Sequence, residues 1–197
     1  MIYEVHIKDH LTQDLLHNGS KNIVHEVGVV RSNISRIDVL DFTNEIHGYE
    51  IKTAVDSVSR LPQQVIWYGK VLDRITLVAA TKHLKKALTI IPSYWGVQEI
   101  VEIDGFFSIN KIKEAEPNPE QDKMYYASLL WADELKEILK KRGFLRGLNN
   151  RAHWNMANRL SSLMSIDQMR SIVCDTMRAR NGKNKRNDGW NQQILTP

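Results

Sequence analysis

The sequence contains a single cysteine, Cys174, among 197 residues. No intrachain disulfide can form, and a zinc ribbon or finger built on several thiolates is excluded. No apolar run approaches the roughly 18 residues that a membrane-spanning helix needs. The opening MIYEVHIKDH has neither the basic start nor the apolar run of a signal peptide. The expected location is therefore the cytoplasm, with no membrane partner. Proline is also scarce. Two of the five fall in AEPNPEQDK, which marks that polar stretch as the expected linker. There is no internal repeat and no long low-complexity run.

What is present is ordinary for a globular protein: 42% hydrophobic and 25% charged residues. The net charge of +4 is unevenly spread. Met1 to Ser128 carries 14 Lys/Arg against 17 Asp/Glu, whereas Leu129 to Pro197 carries 13 against 6, a net +7. A basic C-terminal part can attract a polyanion such as nucleic acid, or it can be no more than a solvated face.

Hydrophobic spacing predicts a helix in VHIKDHLTQDLLH, with Val5, Leu11, Leu15 and Leu16 apolar and Asn18-Gly19 as its end. IVHEVGVV, RIDVLDF and IHGYEIKT are short, β-branched and bounded by polar residues, which predicts three strands. A helix from Asp56 to Leu72 follows, with Pro62 in its first turn or at a kink, and with Asp56 and Ser57 as its expected caps. RITLVAA, KHLKKALTII and VQEIVEI then read as strand, helix and strand. This order implies an α/β fold, a mixed central sheet flanked by helices. Beyond the linker, YASLLWADELKEILKKRG, HWNMANRLSSLM and SIDQMRSIVCDTMRARNG predict an α-helical C-terminal extension. The expected organisation is a core over 1–113, a linker over 114–124, a basic helical domain over 125–182 and a flexible tail over 183–197.

The chemistry concentrates in RIDVLDFTNEIHGYEIKTA. Buried charges are costly unless paired or bound to a metal, yet Asp38, Glu50 and Lys52 all lie within strand-like segments. Side chains alternate along a strand, so Glu50 and Lys52 share a face, and a turn at Thr43-Asn44-Glu45 would bring Asp38 toward Glu50. Two carboxylates beside an ammonium suit a hard divalent cation, Mg²⁺ or Mn²⁺, which takes oxygen ligands and is commonly shared with substrate phosphates. Lys52 would orient the attacking water or stabilise developing charge. A structural ion pair at a sheet edge is the competing explanation.

Asp38, eleven intervening residues and Glu50-Ile51-Lys52 resemble the PD-(D/E)XK nuclease superfamily, the restriction-endonuclease-like fold, although Ile37 replaces the family's proline before the aspartate. GYEIKTAVDSVSRLPQQVIWYGKVLDRITLVAA is further similar to small bacterial and phage members of unassigned role related to MmcB-type DNA-repair proteins. The resemblance implies a metal held by Glu26, Asp38, Glu50 and the Ile51 backbone. It also implies catalysis by Asp38, Glu50, Lys52 and Gln64. Arg60, Gln64 and Tyr68, spaced by four, would line one helical face toward the substrate. The implied activity is Mg²⁺-dependent hydrolysis of DNA phosphodiesters in repair, recombination, phage biology or defence, with a homodimer possible. The alternative is a non-catalytic nucleic-acid-binding or assembly module on the same fold.

In the C-terminal part, ELKEILKKRGFLRGLNNRAHWNMANRL resembles the SAP-type helix-extended-helix DNA-binding motif, with a longer spacing. Lys140, Lys141, Arg142, Arg146 and Arg151 are its candidate phosphate contacts. Trp131 and Trp154 are expected in its core, and Cys174 is expected as a core residue, not a nucleophile. His25 and His47 are expected on the strand faces opposite Glu26 and Glu50, and His6 and His10 lack a third ligand.

Overall fold

The structure is a computed structural model, and residues 3–29, 35–148 and 152–180 are described. In chain order the elements are α1 (Glu4–His17), β1 (Ile23–Gly28), β2 (Arg36–Asp41), β3 (His47–Lys52), α2 (Leu61–Val71), β4 (Arg74–Ala80), α3 (Thr81–Ala87), β5 (Gly96–Ile103), β6 (Phe106–Lys113), α4 (Lys123–Ala127), α5 (Ala132–Lys141), α6 (His153–Leu163) and α7 (Ile166–Arg178). The strands form one mixed sheet in the order β1-β2-β3-β4-β5-β6. The first three strands and the β5–β6 pair are antiparallel, while β3, β4 and β5 run parallel. The protein is thus the expected mixed α/β fold with a C-terminal helical region.

The central strand RITLVAA is buried from Ile75 to Ala80 and apolar there except for Thr76, because both its faces are covered. On one face α1 presents Ile7 and Leu11 to Ile23, Val39, Tyr49, Ile51, Val78 and Ile100. Ile7 takes the place expected of Val5, which is exposed. The other face is covered by α2, through Leu61, Tyr68 and Val71, together with residues of the C-terminal helices such as Leu135, Leu160, Met169 and Val173. Cys174 lies in this core, where burial pushes its thiol up to about 12. An inert, packed thiol is the result.

Several local expectations shift. The helix expected from Asp56 begins at Leu61, with Pro62 in its first turn, where a missing N–H is harmless. Asp56 instead accepts from the backbone N–H and hydroxyl of Thr53, closing a turn after β3. The helix expected over 126–143 is divided into α4 and α5, because buried Leu129 and Leu130 intervene and the Glu134 carboxylate caps the Trp131 N–H. Strand β6 was not anticipated. It follows an Asp104-Gly105 turn with φ of 52° and 81°, the left-handed pair that a tight hairpin requires.

The segment over 114–124 runs against the C-terminal end of α2. Asn118 donates to the carbonyls of Gly69 and Leu72 at 2.6 and 2.7 Å, satisfying acceptors that a helix end leaves unpaired. Next to it, the buried Asp73 carboxylate accepts from Ile46 N–H, Gln121, Tyr126 and Arg170. This one side chain joins the foot of β4 to α4 and α7. Trp154, expected in the core, is exposed. It contacts Tyr125 edge-on at 5.2 Å between ring centroids. Residues 183–197 lie outside the described residues.

Candidate active site

The ladder between β2 and β3 runs from Asp41 opposite His47 to Val39 opposite Tyr49. Asp38 lies one residue beyond it. There its side chain does what the ladder no longer does: Oδ2 accepts the Ile51 N–H at 2.6 Å. The aspartate is thereby fixed to the middle residue of Glu-Ile-Lys.

Glu26 approaches Asp38 from β1 through a backbone irregularity. Its φ is +55°, a left-handed conformation that is uncommon and costly for a residue other than glycine. Strict alternation would send His25 and Glu26 to opposite faces. Here both turn to α1, since His25 Nε2 lies 2.8 Å from Thr12 Oγ1 and Glu26 accepts from Lys8. The expectation for His25 is corrected by this one torsion.

The carboxylates that gather are Glu4, Glu26 and Asp38, all half-buried, with ligand oxygens within 4.8 Å of one another. Glu4 was not anticipated. With Lys8 it forms an i, i+4 pair on α1, Lys8 Nζ lying 2.9 Å from Glu4 and ion-paired with Glu26 as well. Burial, and then the Glu50 charge, hold the Asp38 carboxyl well above the usual carboxylate range.

Glu50 turns away from this cluster. It is 1% exposed and ion-paired with Lys52, itself 4% exposed. From α2, Gln64 Nε2 donates to Glu50 Oε1 and Tyr68 O–H donates to Oε2, the latter at 2.7 Å. Burial, followed by the Glu50 charge, raises Tyr68 well above the usual phenol range, so it remains a donor. Gln64 Oε1 is buried without a protein partner among the described residues. The site therefore has two halves, a carboxylate cluster against α1 and a Glu-Lys-Gln-Tyr cluster against α2, joined by the Asp38–Ile51 hydrogen bond.

The residues expected to contact substrate divide differently. Arg60 precedes α2, its carbonyl accepting from Gln63 and Gln64 N–H and its side chain exposed, so it does not join Gln64 and Tyr68. Lys140, Lys141, Arg142 and Arg146 are exposed, with Lys141 paired to Glu137 at 2.8 Å. Arg151 lies outside the described residues. His6 accepts from the Tyr3 N–H and His10 packs edge-on against Phe107. A groove of about 810 Å³ lies apart from these clusters, lined by Val65, Ile66, Lys70, Glu120, Asn158 and Ser162 among others.

A mixed α/β protein with a carboxylate cluster at a fork between two strands, backed by a buried Glu–Lys pair, is the class that fold and site define. The chain belongs to the family described as Bacteriophage P4 protein cII, whose model matches residues 1–193. It is 25% identical over 158 residues to "Protein cII" of Enterobacteria phage P4, covering 80% of this chain and 59% of that relative, so it spans less than two thirds of the relative's length. Among solved structures it is similar to the SPO1766 protein of unknown function from Silicibacter pomeroyi. That match has a TM-score of 0.39 and 18% identity, and covers 67% of this chain and 86% of the other. No helix among the described residues is long and apolar enough to cross a membrane.

Proposed function

We propose that the protein is a Mg²⁺- or Mn²⁺-dependent DNA phosphodiesterase on a restriction-endonuclease-like core. The observation that carries this reading is Asp38, clamped to the backbone of the Glu-Ile-Lys strand and convergent with two further carboxylates. Three oxygen-only donor groups in a half-buried setting fit a hard divalent cation. Glu4, Glu26 and Asp38 would hold it, and when bound it would supply charge neutralisation at the scissile phosphate.

The chain's own residues divide the remaining tasks. Lys52, held by Glu50, would place a fixed positive charge beside the phosphate or orient the attacking water. Tyr68 and Gln64 keep Glu50 oriented, which in turn keeps the ammonium in place. Incubation with linear, circular and single-stranded DNA and either cation tests the reading. Cleavage is expected from the wild type and not from folded Asp38→Ala or Lys52→Met proteins. Undiminished cleavage by both variants would sink it.

One observation favours the second reading, a non-catalytic nucleic-acid-binding or assembly module. Lys8 already ion-pairs with both Glu4 and Glu26, a positive charge of the protein's own at the place a cation would take. Calorimetry with Mn²⁺ separates the two, since a module of this kind takes up no cation with or without DNA.

A further inference from the structure

We infer that the outer face of α3 seats the phosphate backbone of duplex DNA against the candidate site, an inference that rests on the nuclease reading. Helix α3 starts where β4 ends, and β4 runs parallel beside β3 with Ala79 opposite Lys52. The topology delivers α3 to the same end of the sheet as Glu50-Ile51-Lys52. It also places α3 on the α2 side of the sheet, the side of the Glu50–Lys52 pair, because Leu84 and Ala87 join the hydrophobic cluster that contains Tyr68, the residue that donates to Glu50.

A single side chain sets the helix in position. His83 Nε2–H donates to the carbonyl of Thr53 at 3.1 Å. Thr53 directly follows Lys52, and its own N–H and hydroxyl are held by Asp56. The helix is thus tied to the turn that leaves the Glu-Ile-Lys strand.

With His83, Leu84 and Ala87 turned inward, helical spacing puts Lys82, Lys85 and Lys86 together on the opposite side. All three are exposed. Among the described residues no carboxylate lies within ion-pair distance of any of them, whereas Lys8 has two such partners and Lys111, Lys113 and Lys141 one each. Residues 81–96, TKHLKKALTIIPSYWG, contain no Asp or Glu. Three uncompensated ammonium groups beside the site complement a polyanion. They would contact phosphates, which gives affinity and orientation without reading sequence. This adds a second set of backbone contacts, on a helix packed beside the Glu-Ile-Lys strand, to those expected of Lys140, Lys141 and Arg142.

The test is binding of a short fluorescein-labelled DNA duplex by anisotropy across a salt series, in EDTA and again in Ca²⁺. Four full-length proteins are compared: wild type, Lys82→Ala/Lys85→Ala/Lys86→Ala, the same triple to Arg, and Lys140→Ala/Lys141→Ala/Arg142→Ala. The α3 alanine triple is expected to bind roughly tenfold or more weakly, and its slope of log K against log salt to fall by about 2 to 3. The arginine triple is expected to bind like the wild type. Three results would overturn the inference: an unchanged slope in the α3 alanine triple, a loss confined to the C-terminal triple, or no binding by the wild type. Cleavage with Mg²⁺ is scored separately. Binding through α3 without cleavage removes the nuclease reading and leaves this one, while cleavage with an unaffected α3 alanine triple does the reverse.

Discussion

Asp38 and Ile51 are joined across two strands that have already stopped pairing, the carboxylate of one accepting the backbone N–H of the other at 2.6 Å. Burial and the nearby Glu50 charge disfavour ionisation there. The folded protein consequently holds this proton more tightly than the unfolded chain does. The associated stability is present below the ordinary carboxylate pKa and is lost as pH rises through the elevated folded value. Asp38→Asn should therefore melt higher than the wild type near neutral pH in EDTA, by about 2–4 °C for each kcal/mol of relieved charge. The gap should close in acid. Mn²⁺ should raise the melting temperature of the wild type and leave the variant unmoved, as thermal melts with and without the cation will show.

His47 sets a second pH dependence, away from the carboxylate cluster. It stacks on Tyr49, with ring centroids 4.3 Å apart, and bonds Thr76 Oγ1 at 2.8 Å. Burial pushes it down to about 4. The unfolded chain binds a proton near pH 6.5 that the folded one refuses, so stability falls as pH drops from that value toward 4, by no more than about 3 kcal/mol. Denaturant titrations should show a shallower decline over this range for His47→Gln than for the wild type.

Glu26 holds a left-handed backbone that glycine would adopt without strain. Glu26→Gly should leave folding stability equal to the wild type or higher by about 1 kcal/mol. The same change should weaken Mn²⁺ binding roughly tenfold or more by removing one of three carboxylates. Denaturation and calorimetry on one preparation give both numbers. A variant that loses both together would show that Glu26 serves the fold.

Asp73 should be the opposite kind of residue. Its carboxylate takes donors from Ile46, Gln121, Tyr126 and Arg170. Removing one partner of a buried, hydrogen-bonded ion pair typically costs about 3–5 kcal/mol. Asp73→Ala should lose about that much in urea titrations. Because the sheet and the C-terminal helices share one hydrophobic cluster, wild-type unfolding should also be a single transition by both fluorescence and circular dichroism.

The elements with the clearest apolar spacing were the most legible. β4 is continuous because it is covered on both faces, and α7 follows directly on its Ser165 N-cap in SIDQMRSIVCDTM. β6 escaped notice because an edge strand leaves Phe106 and Ile112 exposed, which blurs its alternation. Within the site, parity correctly paired Glu50 with Lys52 and the four-residue spacing brought Gln64 to Tyr68. It failed at Glu26, since a single positive φ interrupts alternation and leaves no mark in the sequence. Glu4 and Lys8 were legible only as an i, i+4 pair on a helix, and that spacing does not say which strands the helix lies across. KHLKKALTII was legible as a helix, but its place at the same end of the sheet as Lys52 depends on strand order.

Arg170 reaches back 97 residues to Asp73, so the foot of β4 gains its guanidinium partner only when α7 is in place. All six strands precede residue 114 in the chain, whereas part of the cover on the α2 face of the sheet, Leu135, Leu160, Met169 and Val173, comes after it. A chain that already contains every strand still has one face of its sheet part-covered, so the sheet that carries the proposed chemistry draws stability from residues that take no part in it.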